Sequence, residues 1–193
     1  MIEQLLQLVI LFFVIFDPPM SFAVFFIATK NMSEEERDKI AGLAVLVAAT
    51  ISFVVLILGE KLLVLLNTNI IDFKIAGGII LALLGVKMVL GQSLVDEEKL
   101  KNNTGRAIAA LIGTPLLTGP AAITSIILST GEYGTILTGS AIIIVLLIAA
   151  IFLYKASTIR KYLGITAIQV VSTILGLIML AWGVKFIRAG MGF

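Results

Sequence analysis

The sequence predicts an all-α polytopic membrane protein: six transmembrane helices as two inverted three-helix repeats, with spans one and four interrupted near the midplane. Three observations carry this. The 193-residue chain is 60% hydrophobic and 13% charged, with a mean hydropathy of +1.14. A soluble domain of this length needs far more polar surface. Six apolar runs each approach the roughly 20 residues that a helix needs to cross the hydrocarbon core. Two of these runs, at matching places in the two halves, are broken by proline.

The first run, Ile2–Ala28, holds Phe16-Asp17-Pro18-Pro19-Met20 at its middle. A carboxylate at that depth costs roughly 2.5–3.5 kcal/mol on insertion scales. Proline removes a helical hydrogen bond and clashes with the preceding turn. Met1-Ile2-Glu3 lacks the basic start of a signal peptide, and the run is too long for one, so a retained span is expected. The loop 31–39 reads as solvated, with Ser33 and Glu36 forming a capping box that starts the second helix. Span two covers about Ile40–Leu58, with Glu60 and Lys61 at its interfacial end. Span three covers about Ile71–Leu90, where Gly77, Gly78 and Gly85 allow close helix packing. Lys87 near its end is read as snorkelling to the headgroups.

A polar stretch, 92–106, contains Asp96-Glu97-Glu98 and Asn102-Asn103 and is the only candidate linker. It divides one transmembrane domain, 1–193, into a first repeat (1–91) and a second (107–193). Span four, Ala107–Thr130, is interrupted by Thr114-Pro115 and Gly119-Pro120. Span five covers Ile136–Tyr154 and span six Ile165–Ile187. In span six, Trp182 is read as packing or an interface anchor and Lys185 as snorkelling. Phe22, Phe25 and Phe26 are expected to face lipid or neighbouring helices.

Ten of the 14 lysines and arginines fall in the loops one-two, three-four and five-six with their adjoining helix ends. Lys61, Lys74, Lys185 and Arg188 make up the other side. The positive-inside rule then places those three loops, including the linker, in the cytoplasm of a cell-membrane protein with both termini outside.

The halves resemble each other. Shifted by 98 positions, residues 75–89 align with 173–187 at five identities in fifteen, pairing Gly78 with Gly176 and Gly85-Val86-Lys87 with Gly183-Val184-Lys185. At an offset of 97, Asp17-Pro18 meets Thr114-Pro115 and Ser21 meets Thr118. Three spans per half forces the second half to lie upside down. Inverted three-span repeats with paired, proline-interrupted helices are a secondary-transporter pattern.

Asp17-Pro18 and Thr114-Pro115 both read as an N-cap followed by proline at the first helical position. Each would start a half-helix whose first amides lack partners and carry the positive end of the dipole, a seat for a carboxylate. The carbonyls ending the preceding half-helix suit an ammonium group or a cation. Two facing breaks could hold a zwitterion, which points to an amino acid. The candidate substrate site is Asp17, Pro18, Ser21, Thr114, Pro115, Thr118, Gly119 and Pro120. Thr124 is a weaker member, because serine and threonine in membrane helices more often bond their own or a neighbouring backbone. Asp17 is also the ion-coupling candidate, since an intramembrane acid is a functional site by default; capping its own half-helix is the structural alternative.

The chain has no cysteine and no histidine. That removes disulfides, thiolate metal sites and the commonest proton shuttle. An intramembrane enzyme ranks last, because a lone acid forms no acid–base pair or metal cluster. An inorganic ion transporter or channel, using Asp17 and broken-helix carbonyls, is the alternative. No cofactor or metal is expected.

At these residues the chain resembles the MarC family of six-span membrane proteins, which includes the small neutral amino acid transporters called SnatA. Asp17-Pro18-Pro19-Met20-Ser21-Phe22-Ala23-Val24-Phe25 is similar to the family's span-one element, with Met20 where the family usually has glycine and Ala23 where it often has proline. Pro115-Leu116-Leu117-Thr118-Gly119-Pro120-Ala121-Ala122-Ile123 closely matches its span-four element. The resemblance covers nearly the whole chain. It implies membrane transport, with export of a small neutral amino acid such as glycine or alanine; the leading expectation is a secondary transporter driven by a proton or sodium gradient. The implied partners are that amino acid, a coupling H+ or Na+ and the lipid bilayer. Nucleic acid is not among them, and a homo-oligomer is compatible with the sequence.

Overall fold

The computed structural model describes residues 2–65, 67–92, 104–156, 158–159 and 165–192. Most of the linker, with Asp96, Glu97, Glu98, Lys99, Lys101, Asn102 and Asn103, lies outside these residues, as do Arg160 and Lys161. The described residues are helical, with no strand among them.

Helix α1 (Ile2–Phe16) and α2 (Pro18–Thr29) form the first span, parted only at Asp17. Helix α3 (Glu34–Leu65) starts at the expected capping box. The Glu36 amide donates to Ser33 Oγ (3.3 Å), and the Ser33 amide donates to Glu36 Oε2 (3.0 Å). At 32 residues, α3 is about 48 Å long and exceeds the roughly 30 Å hydrocarbon core. It runs on through Glu60 and Lys61, past the Leu58 end read for span two, to Leu65. Helix α4 (Ile70–Val89) is capped by Asn69, whose Oδ1 accepts from the Asp72 amide at 2.8 Å. Helix α5 (Gly105–Leu111), a widened π-type turn (Ile112–Leu117) and α6 (Pro120–Tyr133) form one span bent by 52°. Helices α7 (Thr135–Tyr154) and α8 (Ile165–Met191) complete the fold.

Among the described residues, four helical stretches, or five with this bent pair, are long and apolar enough to cross a membrane. The sixth expected span, α4, has the length but carries Asp72, Lys74 and Lys87 near its ends. The solvent-facing surface is apolar: Leu46, Ile57, Leu83, Leu147, Ile151 and Leu177 are all exposed. The interior holds large apolar side chains such as Phe12, Phe16 and Ile142 together with hydroxyls, including Ser52, Ser125, Thr138 and Ser172. An apolar exterior of this kind suits lipid as solvent. Phe22 and Phe25 are buried, and Phe22 meets Phe152 of α7 edge-on at 6.4 Å, so they face helices rather than lipid.

The most extensive contact joins α4 and α8, which run antiparallel. It is built on glycine. A Cβ at Gly78 would lie 2.6 Å from the Gly183 carbonyl oxygen, and one at Gly85 would lie 2.7 Å from the Gly176 carbonyl oxygen. Both neighbours are backbone and cannot rotate away. Exchanging the halves at the 98 offset, Gly78 for Gly176 and Gly183 for Gly85, turns the first approach into that of a Cβ at Gly176 to the Gly85 carbonyl oxygen, 3.1 Å. The same shift turns the approach of Gly78 to the Ile187 amide into that of Gly176 to the Val89 amide. Other contacts also come in corresponding pairs: α1 on α7 with α5 on α3, α2 on α7 with α6 on α3, and α4 on α6 with α8 on α2.

Leucine at Gly78 or Gly183 should force α4 and α8 apart, at a cost of about 1–3 kcal/mol or more. Thermal unfolding in detergent should show a clearly lowered midpoint for either variant and little change for the exposed control Leu177→Ala. An unchanged midpoint in both glycine variants would contradict the packing.

Candidate functional site

The two breaks satisfy their backbones differently. At the first, Asp17 takes a left-handed conformation (φ 42°, ψ 65°), where few non-glycine residues sit and aspartate is among the more tolerated. The Asp17 amide still donates to the Phe13 carbonyl (3.1 Å), and the Ser21 amide donates to the Asp17 carbonyl (3.0 Å). Pro18 and Pro19 have no N–H to satisfy. The remaining amide, Met20, donates to Asp17 Oδ1 at 3.2 Å. Asp17 is thus the N-cap that the sequence predicts. However, no amide is left over at the start of α2, so this helix end is not an anion seat. What remains is Asp17 Oδ2: the residue is only 4% exposed, and this oxygen has no hydrogen-bond partner.

The second break departs from the expectation. Thr114 is extended (φ −151°, ψ 129°), followed by a cis peptide to Pro115, but no α-helix starts there. The Thr114 hydroxyl donates to the Thr118 carbonyl at 3.1 Å instead of accepting from an amide. The half-helix begins at Pro120, with Gly119 as N-cap. Glycine is required at 119 because a Cβ there would collide with the Pro115 carbonyl oxygen. Gly119 has no side chain to cap with, and Pro120 has no N–H. The Ile123 amide reaches the Gly119 carbonyl at 3.0 Å. Among the described residues, the Ala121 and Ala122 amides find neither an earlier carbonyl nor a capping side chain. The positive end of the α6 dipole is therefore open.

The breaks meet at a cavity of about 90 Å³. Asp17, Met20 and Ser21 line it from α2 and its cap, while Pro115, Gly119, Pro120, Ala121 and Ala122 line it from the second break. Leu84 and Met88 of α4 and Met179 of α8 close the remaining side. Five of the eight residues singled out in the sequence thus share one cavity. Pro18, Thr114 and Thr118 shape the breaks without lining it. The roles of Ser21 and Thr118 correspond: each hydroxyl donates to the carbonyl five residues earlier, Phe16 (3.3 Å) and Gly113 (2.5 Å) respectively. Thr124 donates to the Pro120 carbonyl (2.9 Å) and packs on Gly77.

Sequence reasoning missed Ser172. It is buried on α8, and its side chain lies beside the Asp17 carboxyl group. Its repeat mate at the 98 offset is Lys74, so no pattern marks it. A second, larger cavity of about 680 Å³ lies towards the N-terminal half of α1. Gln7, Lys74, Glu132, Tyr133, Trp182 and Lys185 are among its lining residues. Trp182 and Lys185 therefore face a cavity, which their bland sequence readings did not foresee.

A model of the MarC family integral membrane proteins matches residues 2–192. The chain belongs to the MarC family. It is 29% identical to a UPF0056 membrane protein of Archaeoglobus fulgidus, over 93% of this chain and 88% of that protein. A UPF0056 membrane protein of Methanocaldococcus jannaschii is 30% identical, over 93% and 91% of the two chains. The UPF0056 membrane protein YhcE of Escherichia coli is 30% identical over 93% and 87%. No solved structure matches. This MarC-family chain is accordingly an integral membrane protein with several apolar helices.

Asp17→Asn can keep the cap through its amide oxygen, whereas Asp17→Ala cannot. Loss of an N-cap costs about 0.5–2 kcal/mol. Unfolding in detergent should place the alanine variant below the asparagine variant by that amount, with asparagine no less stable than wild type. Equal stability of the two variants would remove the capping role.

Proposed function

We propose that this protein is a secondary transporter that carries a small neutral amino acid, of glycine or alanine size, by alternating access around the two breaks. The observation that carries this reading is the 90 Å³ cavity with an unpartnered acidic oxygen on one break and an uncapped helix N-terminus on the other. An α-amino acid has an ammonium group for Asp17 and a carboxylate for the Ala121 and Ala122 amides. Drug-sized ligands occupy roughly 300–1,000 Å³, so the volume favours a compact solute. Met20, Met88, Met179 and Leu84 leave room for a short apolar side chain only. A divalent cation wants several oxygen ligands, many of them anionic. Asp17 is the only buried carboxylate among the described residues.

The architecture we infer is six spans in two inverted repeats, 1–91 and 107–193, joined by a cytoplasmic linker at 92–106. The glycine contacts between α4 and α8 support it. Two antiparallel helices whose contacts interchange under one sequence shift are related by a two-fold axis perpendicular to them. For helices crossing a bilayer, that axis lies in the membrane plane, as in transporters with inverted-topology repeats. The lysine and arginine distribution puts both termini outside. The 680 Å³ cavity is then an outer vestibule, and export from the cytoplasm driven by H+ or Na+ is the direction implied by the family resemblance.

Proteoliposomes should show saturable flux of labelled alanine or glycine, with leucine and phenylalanine competing poorly. Asp17→Asn should weaken apparent alanine affinity about 10- to 100-fold, the effect of losing a charge-assisted hydrogen bond. Absence of saturable flux for every small amino acid would sink the substrate assignment. Unchanged flux and ion dependence in the variant would reduce Asp17 to a cap.

A further inference from the structure

The cavity of about 680 Å³ is chemically unlike the 90 Å³ one, and no residue lines both. Its walls are graded by depth. Gln7 and Glu132 line it near the ends of α1 and α6. Leu11 and Leu128 line it four residues further in on the same helices, about 6 Å deeper. On α8, Lys185 lies nearer the helix end than Trp182. Lys74, on α4, is the second lysine of the wall. Two lysines against Glu132 leave one positive charge in excess. Among the described residues, neither Lys74 nor Lys185 is in an ion pair. Lys74 is half-buried, where an ammonium group gains more from a nearby anion than it would in open water. The cavity thus offers cations at the level of the helix ends and hydrocarbon beneath. Two further lining residues, Ile10 and Ile70, are 46% and 39% exposed, so the rim is continuous with surface that lipid covers. Trp182 and Tyr133 are residue types that favour headgroup depth. A solute of alanine size would leave most of this volume empty, and a bare anion has no use for the apolar floor.

We propose that this cavity is a binding site for an anionic phospholipid, with its phosphate at Lys74 and Lys185 and an acyl chain along Leu11 and Leu128. Lysine binds phosphate as a point charge and needs no planar, bidentate geometry, so ammonium groups from two different helices serve. Basic pockets between membrane helices are a recurring seat for lipid headgroups. A lipid held here bridges α1 and α6 to the glycine-packed pair of α4 and α8. It leaves the 90 Å³ cavity free, so lipid and solute can be held together. The site needs nothing from the transport reading.

The test titrates protein purified in a neutral detergent with phosphatidylglycerol, phosphatidylcholine or inorganic phosphate and follows the thermal midpoint. Phosphatidylglycerol should raise the midpoint of wild type by about 5 °C or more near a hundredfold excess over its dissociation constant. Phosphatidylcholine and inorganic phosphate should not. Lys74→Gln and Lys185→Gln should each weaken phosphatidylglycerol binding about fivefold, and the double variant about 25-fold. Their lipid-free midpoints should stay at the wild-type value, because neither lysine leaves a partner stranded. Lys87→Gln makes the same charge change at the opposite end of α4 and should bind as wild type does. No gain with phosphatidylglycerol, an equal gain with phosphatidylcholine, or undiminished binding in the double variant overturns the site. So does an equal loss in Lys87→Gln, which would reduce the effect to net charge. An equal gain with inorganic phosphate overturns the lipid and leaves a phosphate site. Flux is not part of this readout, so a protein that carries no amino acid can still pass it.

Discussion

In hydrocarbon, every backbone amide and carbonyl needs a partner within the protein, and a helix interrupted at membrane depth must answer for each one it exposes. The two breaks in this chain answer in opposite ways. At the first, two prolines remove two amides, Asp17 Oδ1 takes the third, and the ladder closes around a left-handed residue. The result is a nearly continuous span with one acidic oxygen to spare. At the second, Gly119 and Pro120 start a helix without a cap, and the chain bends by 52°. The result is an open positive helix end. A negative group and a positive helix end, both held by broken spans and sharing one small cavity, are the physical core of the site.

The opposite wall of the cavity is a closely packed helix pair. Helices α4 and α8 approach until backbone meets backbone at Gly78, Gly85, Gly176 and Gly183. In a membrane, where lipid tails are as apolar as leucine, close van der Waals contact between small residues is the main force that joins helices. The pair therefore behaves as one body presenting Leu84, Met88 and Met179 to the broken helices. Methionine is adaptable, so this wall can conform to what the cavity holds.

Much of this was legible in the sequence where the signal was local. The Ser33–Glu36 capping box and the Asp17 cap are fixed by neighbours within three residues, and both form as read. The 98-residue offset paired the same glycines that meet crosswise between α4 and α8. The start of the second half-helix was not legible. Pro115 and Pro120 both suit a first helical position, and the choice is made by the close approach of Gly119 to the Pro115 carbonyl. The free amides expected at α2 were lost for a related reason, since the cap that was recognised also consumes the last donor. Ser172 carried no local signal, because its place beside Asp17 comes from the packing of separate helices. Helix α3 continues to Leu65, beyond the Leu58 end read for span two, because an apolar run marks a span and not a helix end.

The central claim is that one small solute is held by both of its charges at once, the ammonium at Asp17 and the carboxylate at the start of α6. Calorimetric titration of the purified protein with alanine, propionate and ethylamine separates these contributions. Alanine should bind, and each single-charge analogue should bind at least about tenfold more weakly, one having lost its partner at Asp17 and the other its partner at Ala121 and Ala122. Propionate or ethylamine binding as tightly as alanine would contradict the account.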